Sequence, residues 1–565
     1  MRPMSYFAVA AAGLLFAMVL NRRNFTLSSR EHTASNSSDF LFLLSIAIVL
    51  LLARWPVIFY DAPLNVDESQ ASAQALRLAK DLIPWRSIDA ITVGPIYSGV
   101  LLVLHEAGLP IGYITLHVLN YVILVGVLTF SFLTVRRLYG GWAARGSVLP
   151  VVGLLCSSLA PDLSHYSSEL VPVFLISLGI FLVTRGLQEA DSSFGVMLGA
   201  GICLGAVPFA KLQATVLAFL VVAFTLIAAI RLKRNMIPFA VGLMLPPSAI
   251  LCPVILAGHW QDFWESYIQF GLNYRHSDQD RTEALFKLIA YIEPLTPFLV
   301  IAFSIVAIGV VLALRRGAGS SQGKRLRWLA TLTLLFASCY AVWVPGSGFP
   351  HYIILTFPPI ILASGVALSE LEAGLHRLSA RARRLASLII FTVMFGGPFV
   401  SLDVGETTRM VEEQRVLHDE SSDPVAAEIA KHARPGEFVA IWGWEPRYWV
   451  QTGTIPATRD GNGHLLAFQV DSRVRARYLQ DFLSEPPVVF VDAVTKGAGM
   501  FDAFLGSKGL NHEDFPALAK VIQERYDLMS TIPLSPDSSS PQISLQSTKG
   551  VSTIGLRIYA RRAPK

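Results

Sequence analysis

Long apolar blocks alternate with short basic connections as far as about residue 402, and then the pattern changes. Blocks such as Phe40–Tyr60, Ile237–Leu256 and Leu385–Val400 approach the ~20 mostly apolar residues that a bilayer-spanning helix needs. We expect about twelve spans, centred near residues 12, 50, 123, 153, 177, 202, 221, 247, 300, 336, 361 and 393. The first, Tyr6–Leu20, has signal-like length, but no small-residue cleavage site follows it, so it is read as a span. Beyond residue 402 the periodicity is that of a water-soluble α/β domain. Asp423–Ala433, Arg473–Phe482 and Phe515–Tyr526 predict helices, while Phe438–Trp442, Val488–Val491 and Ile554–Tyr559 predict strands. The expectation is a polytopic α-helical membrane protein, with residues 1–402 forming the transmembrane domain and 403–565 a C-terminal α/β domain.

Composition agrees. Of 565 residues, 53% are hydrophobic and 15% charged, against about 25% charged in an ordinary soluble protein. The net charge of +5 comes from Arg and Lys between apolar blocks, which argues for membrane topology and against nucleic-acid binding. Five basic clusters follow the expected spans: Arg22–Arg30, Arg136–Arg145, Arg231–Arg234, Arg315–Arg327 and Arg377–Arg384. All five fall on one side, which the positive-inside rule makes cytoplasmic, in a bacterial-type inner (cell) membrane. The four cysteines all lie in apolar blocks and read as packing residues, not as metal ligands or disulfides.

The opposite, extracytoplasmic face carries the polar chemistry and the C-terminal domain. Its first loop contains Asp67 and Glu68 side by side, followed by two short amphipathic stretches, Ser69–Leu82 and Pro95–Ala107, expected to lie along the interface. Asp67 can be a helix N-cap or a base, and Glu68 a helix-start charge or an acceptor-positioning group. The next loop brings Asp162, His165, Tyr166 and Glu169, with Asp162 and Glu169 competing for a second acidic role. Lys211 and Gln213 sit between two apolar blocks, where the lysine can snorkel or hold a phosphate. Tyr274 and Arg275 follow, then His351 and Tyr352 at the opening of another span. Acids and cations gathered at one membrane face suit a substrate with a phosphate anchor and a reacting hydroxyl. A transporter or flippase for a lipid-linked or polysaccharide substrate is the alternative; it would be expected to show repeated halves and mid-span polar residues, and neither is evident.

The order and spacing of Asp67-Glu68, His165-Tyr-Ser-Ser-Glu169, Ala210-Lys-Leu-Gln213 and His351-Tyr-Ile-Ile-Leu-Thr-Phe-Pro-Pro359 resemble the GT-C superfamily of polyprenyl-phosphate-sugar-dependent glycosyltransferases. The branch most resembled holds protein O-mannosyltransferases and the lipid A aminoarabinose transferase. Ile441-Trp-Gly-Trp-Glu-Pro446 through Arg459 resembles a segment of bacterial members. The resemblance implies transfer of a hexosyl or pentosyl group from a polyprenyl-phosphate donor to a hydroxyl on a glycan, lipid or protein acceptor, with inversion. It implies Asp67 as catalytic base, with Glu68, Asp162 and Glu169 as further catalytic candidates. It also implies Lys211, Gln213, Arg275, His351 and Tyr352 around the donor phosphate, and His165, Tyr166 and Tyr274 around the substrate. The family often has Arg or Lys where His351 stands, and a histidine is fully charged only below its ordinary pKa near 6.5. No tight metal-ligand spacing is present, and a divalent cation, Mg or Mn, stays open as a cofactor.

Overall fold

The computed structural model describes residues 36–91, 93–189, 193–273, 281–316, 322–402, 423–461, 463, 466, 472–494, 510–533 and 555–563. Eight helices among them are long and apolar enough to cross a membrane: Tyr113–Tyr139, Leu170–Gln188, Leu212–Leu232, Ile237–Leu256, Leu295–Arg315, Gly323–Trp343, Pro350–Leu375 and Ala380–Ser401. Three of the other expected centres fall on shorter helices, Asn36–Ala53, Gly141–Ser157 and Ser193–Ala210. At 1.5 Å per residue, 17 or 18 residues rise only about 25–27 Å, short of the roughly 30 Å hydrocarbon core. The expected Tyr6–Leu20 span lies outside the described residues.

The chain forms two compact units. The first gathers the described residues of Met1–Ala62, Leu116–Ala249 and Gly271–Val416 into a helical bundle. Its centre is the Pro350–Leu375 helix, 94% buried along its apolar window, whereas Ile237–Leu256 is 17% buried. Gly141–Ser157 is also inside: Trp142 through Ser157 are all buried, so protein, not lipid, surrounds Arg145. Arg145 and Arg136 both pair with Asp39, at 2.8 and 2.9 Å. Arg137 reaches Glu189 at 2.7 Å, Arg234 donates to the Leu187 carbonyl at 3.2 Å, and Arg327 lies 5.5 Å over the Tyr139 ring. Basic clusters far apart in sequence therefore collect at the same helix ends.

Close helix approach within this bundle depends on glycine. Gly201 and Gly205 of the Ser193–Ala210 helix face Gly242 of Ile237–Leu256, a small-xxx-small seam. A Cβ at Gly201 would stand 2.2 Å from the Phe239 carbonyl oxygen, one at Gly205 2.3 Å from that of Leu243, and one at Gly242 2.2 Å from that of Leu198. No rotamer change relieves a clash with backbone.

The second unit joins Pro63–Thr115, Ile250–Phe270 and the described residues of Leu417–Lys565. Its sheet consists of β1 (Phe438–Trp442), β2 (Ile455–Pro456), β3 (Val489–Asp492), β4 (Tyr526–Pro533) and β5 (Gly555–Arg561), in the order β2-β1-β3-β5-β4. β2, β1 and β3 are parallel, and β5 runs antiparallel to β3 and β4. Strand alternation gives each face its own core. Ala440, Trp442 and Phe490 pack with Tyr478, Phe482 and Ile522 on one side. Val439, Ile441, Val489 and Val491 pack with Val425, Ile429 and Trp449 on the other. The expected strands are present, as are helices Pro424–His432, capped by Asp423, and Ser472–Ser484. The helix expected to reach Tyr526 ends at Arg525, because Tyr526 opens β4 and is buried in the sheet core.

First-loop residues enter both cores, Ile91 on one face and Ala73 on the other. The expected interfacial helix Ser69–Leu82 is a helix Val66–Leu78 that buries ten of its residues, among them Gln70, Gln74 and Arg77, in protein. Gln70 accepts from the Trp444 indole at 2.9 Å, Gln74 donates to Asp89 at 3.0 Å, and Arg77 pairs with Glu485. A membrane-surface helix would expose these polar groups to headgroups; here each meets protein.

Replacing Gly205 with valine should force the two helices apart and cost about 1–3 kcal/mol, the usual range for overpacking. The thermal unfolding midpoint in detergent should fall accordingly. An unchanged midpoint would remove the glycine seam as a packing constraint.

Candidate functional site

In the first unit the expected polar residues converge on the N-terminal end of the Leu170–Gln188 helix. The 158–169 segment reaches that position through Arg54, which is 2% exposed. Its guanidinium donates to the carbonyls of Leu155, Ser158 and Leu163, at 3.1, 3.4 and 2.7 Å, and to the Ser164 hydroxyl at 2.9 Å. Asn120 holds the same segment from another helix, donating to the His165 carbonyl at 2.6 Å. Pro208 weakens the end of the Ser193–Ala210 helix, and Lys211 takes an extended conformation that separates it from the next span. Gly346 and Gly348, both left-handed, turn the chain into the buried Pro350–Thr356 segment that carries His351 and Tyr352.

These elements assemble two ion pairs. Lys211 binds the fully buried Glu169 and donates to Ser168 Oγ at 2.7 Å, with its ammonium 4.7 Å over the Tyr352 ring. Two of its three N–H donors thus meet polar partners. His351 Nδ1 donates to Asp162 Oδ1 at 2.9 Å, and its ring meets those of His165 and Tyr352 edge-on, at 5.3 and 4.9 Å. Burial pushes the Glu169 carboxyl up, but the nearby Lys211 and His351 charges outweigh it and hold it at about 2. Asp162 is likewise pushed up by burial and pulled further down by His351. His165 Nδ1 donates to the Pro161 carbonyl at 2.8 Å, and its buried Nε2 has no hydrogen-bond partner among the described residues. Tyr166 is fully buried.

In the second unit the structure separates Asp67 from Glu68. Asn65, not Asp67, caps the Val66–Leu78 helix, its Oδ1 accepting from the Asp67 backbone N–H at 3.0 Å. Glu68 is buried and accepts the Leu64 backbone N–H at 2.5 Å. The Asp67 carboxylate is partly exposed and takes no hydrogen bond or ion pair among the described residues.

This arrangement can be set beside known structures. ArnT from Cupriavidus metallidurans in the apo state superposes with a TM-score of 0.53 over 81% of this chain and 93% of that one, at 14% identity. An Archaeoglobus fulgidus oligosaccharyltransferase tethered with an acceptor peptide containing the NVT sequon gives a TM-score of 0.50 over 93% of this chain and 89% of that one, at 10% identity. The chain shares the fold of these two structures. No family's sequence model matches it, and no curated protein does.

The shared fold accommodates the remaining expected residues unevenly. Gln213 spends its amide N–H on the Ala341 carbonyl, which ties two helices together. Tyr274 and Arg275 lie outside the described residues. Sequence reasoning missed Ser168, Arg54 and Asn120; only an arginine closing an apolar block at Arg54 hinted at an internal role. Among the described residues, one His/Asp/Glu group has ligand atoms close enough for a metal: Asp492, His512 and Glu513. The Arg557 guanidinium already binds both of its carboxylates, so this group is a salt-bridge network that does not fit a cation.

Lys211→Met should leave Glu169 buried without a counter-charge and destabilise the protein by about 3–5 kcal/mol. Adding Glu169→Gln should recover most of the loss in denaturation experiments; full stability in Lys211→Met alone would contradict a buried pair. The acid dependence follows from the same geometry. Because the folded carboxyl lies at about 2, below its ordinary 4.5, its stabilisation is complete above that ordinary value and is lost as pH falls toward about 2. Unfolding midpoints measured down this window should drop for the native pair and flatten for the double variant.

Proposed function

We propose that this chain is an integral membrane glycosyltransferase that moves a sugar from a polyprenyl-phosphate donor to an acceptor hydroxyl, with inversion, on the extracytoplasmic face. The observation that carries the reading is the division of labour in the polar residues. One acid, Asp67, on the first turn of a helix, keeps a carboxylate that no described residue engages. Two buried cation–acid pairs, Lys211–Glu169 and His351–Asp162, supply positive charge of the kind a departing phosphate needs. The GT-C fold supports the same reading.

In this mechanism Asp67 takes the acceptor's hydroxyl proton as that oxygen attacks the anomeric carbon, and the bond from that carbon to the phosphate oxygen breaks on the opposite side. Lys211, His351 and Tyr352, with Arg275, face the phosphate, and His165, Tyr166 and Tyr274 belong to the sugar or acceptor. Glu68 positions the helix start and not the proton, since its carboxylate accepts the Leu64 N–H. Gathering of the basic residues at one set of helix ends supports a cytoplasmic location for those ends. The C-terminal α/β domain is then extracytoplasmic and acts in acceptor binding or as a lid. The acceptor class is a glycan, lipid or protein.

Asp67→Asn removes the base while keeping shape. Transfer from polyprenyl-phosphate sugars by the purified, folded variant should fall about 10²–10⁴-fold, the usual contribution of a general base. Wild-type rates from that variant would eliminate Asp67. If the native protein transfers no sugar from any such donor, the glycosyltransferase reading itself fails.

A further inference from the structure

His351 sits among buried charges, with the Arg54 guanidinium on the far side of the 158–169 segment. Asp162 and Glu169 are both anionic, with carboxyls held below their usual range, and Lys211 supplies one positive charge. His351 Nδ1 donates to Asp162 Oδ1 at 2.9 Å, a contact that orients the ring and stabilises a positive charge on it. His165 makes no such ion pair among the described residues: its Nδ1 donates to a carbonyl. The other elements packed against the Pro350–Thr356 segment add little. On Arg281–Tyr291, Glu283 and Lys287 pair with each other in solvent, and Arg281 lies 5.3 Å over Trp343. The 323–343 helix carries Lys324, Arg325 and Arg327 at its other end. Tyr352, in the same segment, presents its ring to His351 and to Lys211.

We propose that His351, oriented and charge-balanced by Asp162, is the general acid that protonates the departing lipid phosphate. This rests on the polyprenyl-phosphate reading above. The donor is a phosphodiester with one negative charge; when the bond from the anomeric carbon to oxygen breaks, the electron pair goes to the phosphate oxygen. The imidazolium passes the proton on its second ring nitrogen to that phosphate, which leaves as a monoester with one negative charge and one proton. His351 becomes neutral, keeps its Nδ1–H on Asp162, and regains its proton from water between turnovers. The dianion of a phosphate monoester takes up a proton near pH 6, and imidazole near 6.5, so the transfer is closely matched. Lysine and arginine, which lose a proton only above pH 10, can hold the phosphate electrostatically but not protonate it. Lys211 holds; His351 delivers.

The test separates charge from proton delivery. kcat for the native protein, with a polyprenyl-phosphate sugar at saturation, should fall along a basic limb as pH rises. His351→Lys keeps a cation, so KM for the donor should stay near the native value while kcat falls about 10²-fold and the limb disappears. Asp162→Asn removes the counter-charge and should move the limb to lower pH. A His351→Lys variant with native kcat, or a native profile with no basic limb, would overturn the proposal and leave His351 as an electrostatic anchor. Because a buried lysine can itself unfold the bundle, each variant's unfolding midpoint is measured, and the native pH profile decides where a variant does not fold. Absence of any transfer by the native protein would instead break the underlying donor reading, and this proposal with it.

Discussion

A charged lysine inside an apolar helical bundle is tolerable only with a counter-charge in contact, and the arrangement of the first unit follows from meeting that condition at Lys211. Transferring an ammonium and a carboxylate out of water costs several kcal/mol each, which their attraction offsets only with good geometry and further hydrogen bonds. Glu169 supplies the charge, Ser168 a hydroxyl and Tyr352 an aromatic face. Those groups come from the start of one span, the break between two others and the opening of the central helix. Satisfying one ammonium thus fixes three elements, and the His351–Asp162 pair is set by the same segments.

The second unit solves a related problem with neutral polar groups. The Val66–Leu78 helix is mostly polar on the face it buries, so each group must find a partner. Trp444 meets Gln70, Asp89 and Ser98 meet Gln74, and Glu485 meets Arg77. Arg459 extends the lattice, pairing with Asp481 at 2.8 Å and donating to the Trp85 carbonyl at 3.0 Å. The consequence for function is that residues of the C-terminal half hold in place the helix whose first turn bears Asp67. Within that turn two neighbouring carboxylates diverge: Glu68 closes the helix start, and Asp67 is left available.

Much of this was legible from the amino-acid order because it depends on local pattern. Runs of apolar residues located the helices, strand alternation located β1, β3 and β5, and Asp423 marked a helix start it does cap. Where the pattern misled, tertiary burial overrode it. Gly141–Ser157 and Ser193–Ala210 are shorter than the expected spans, the first surrounded by protein and the second packed through Gly201 and Gly205 against a glycine of its neighbour. The first-loop helix has the periodicity of an interfacial element, yet its Gln70 and Arg77 are claimed by partners hundreds of positions away.

The sequence alone determined the membrane character, three of the C-terminal half's described strands, and the roster of acids and cations, since hydropathy and periodicity are properties of neighbouring residues. Pairing is not. That Lys211 would choose Glu169, 42 positions away, and His351 would choose Asp162, 189 positions away, was decided only by the folded chain. So was the separation of Asp67 from Glu68, through Asn65 taking the cap. Each choice is a matter of which group lies within about 3 Å of another after burial, a distance that no local spacing encodes.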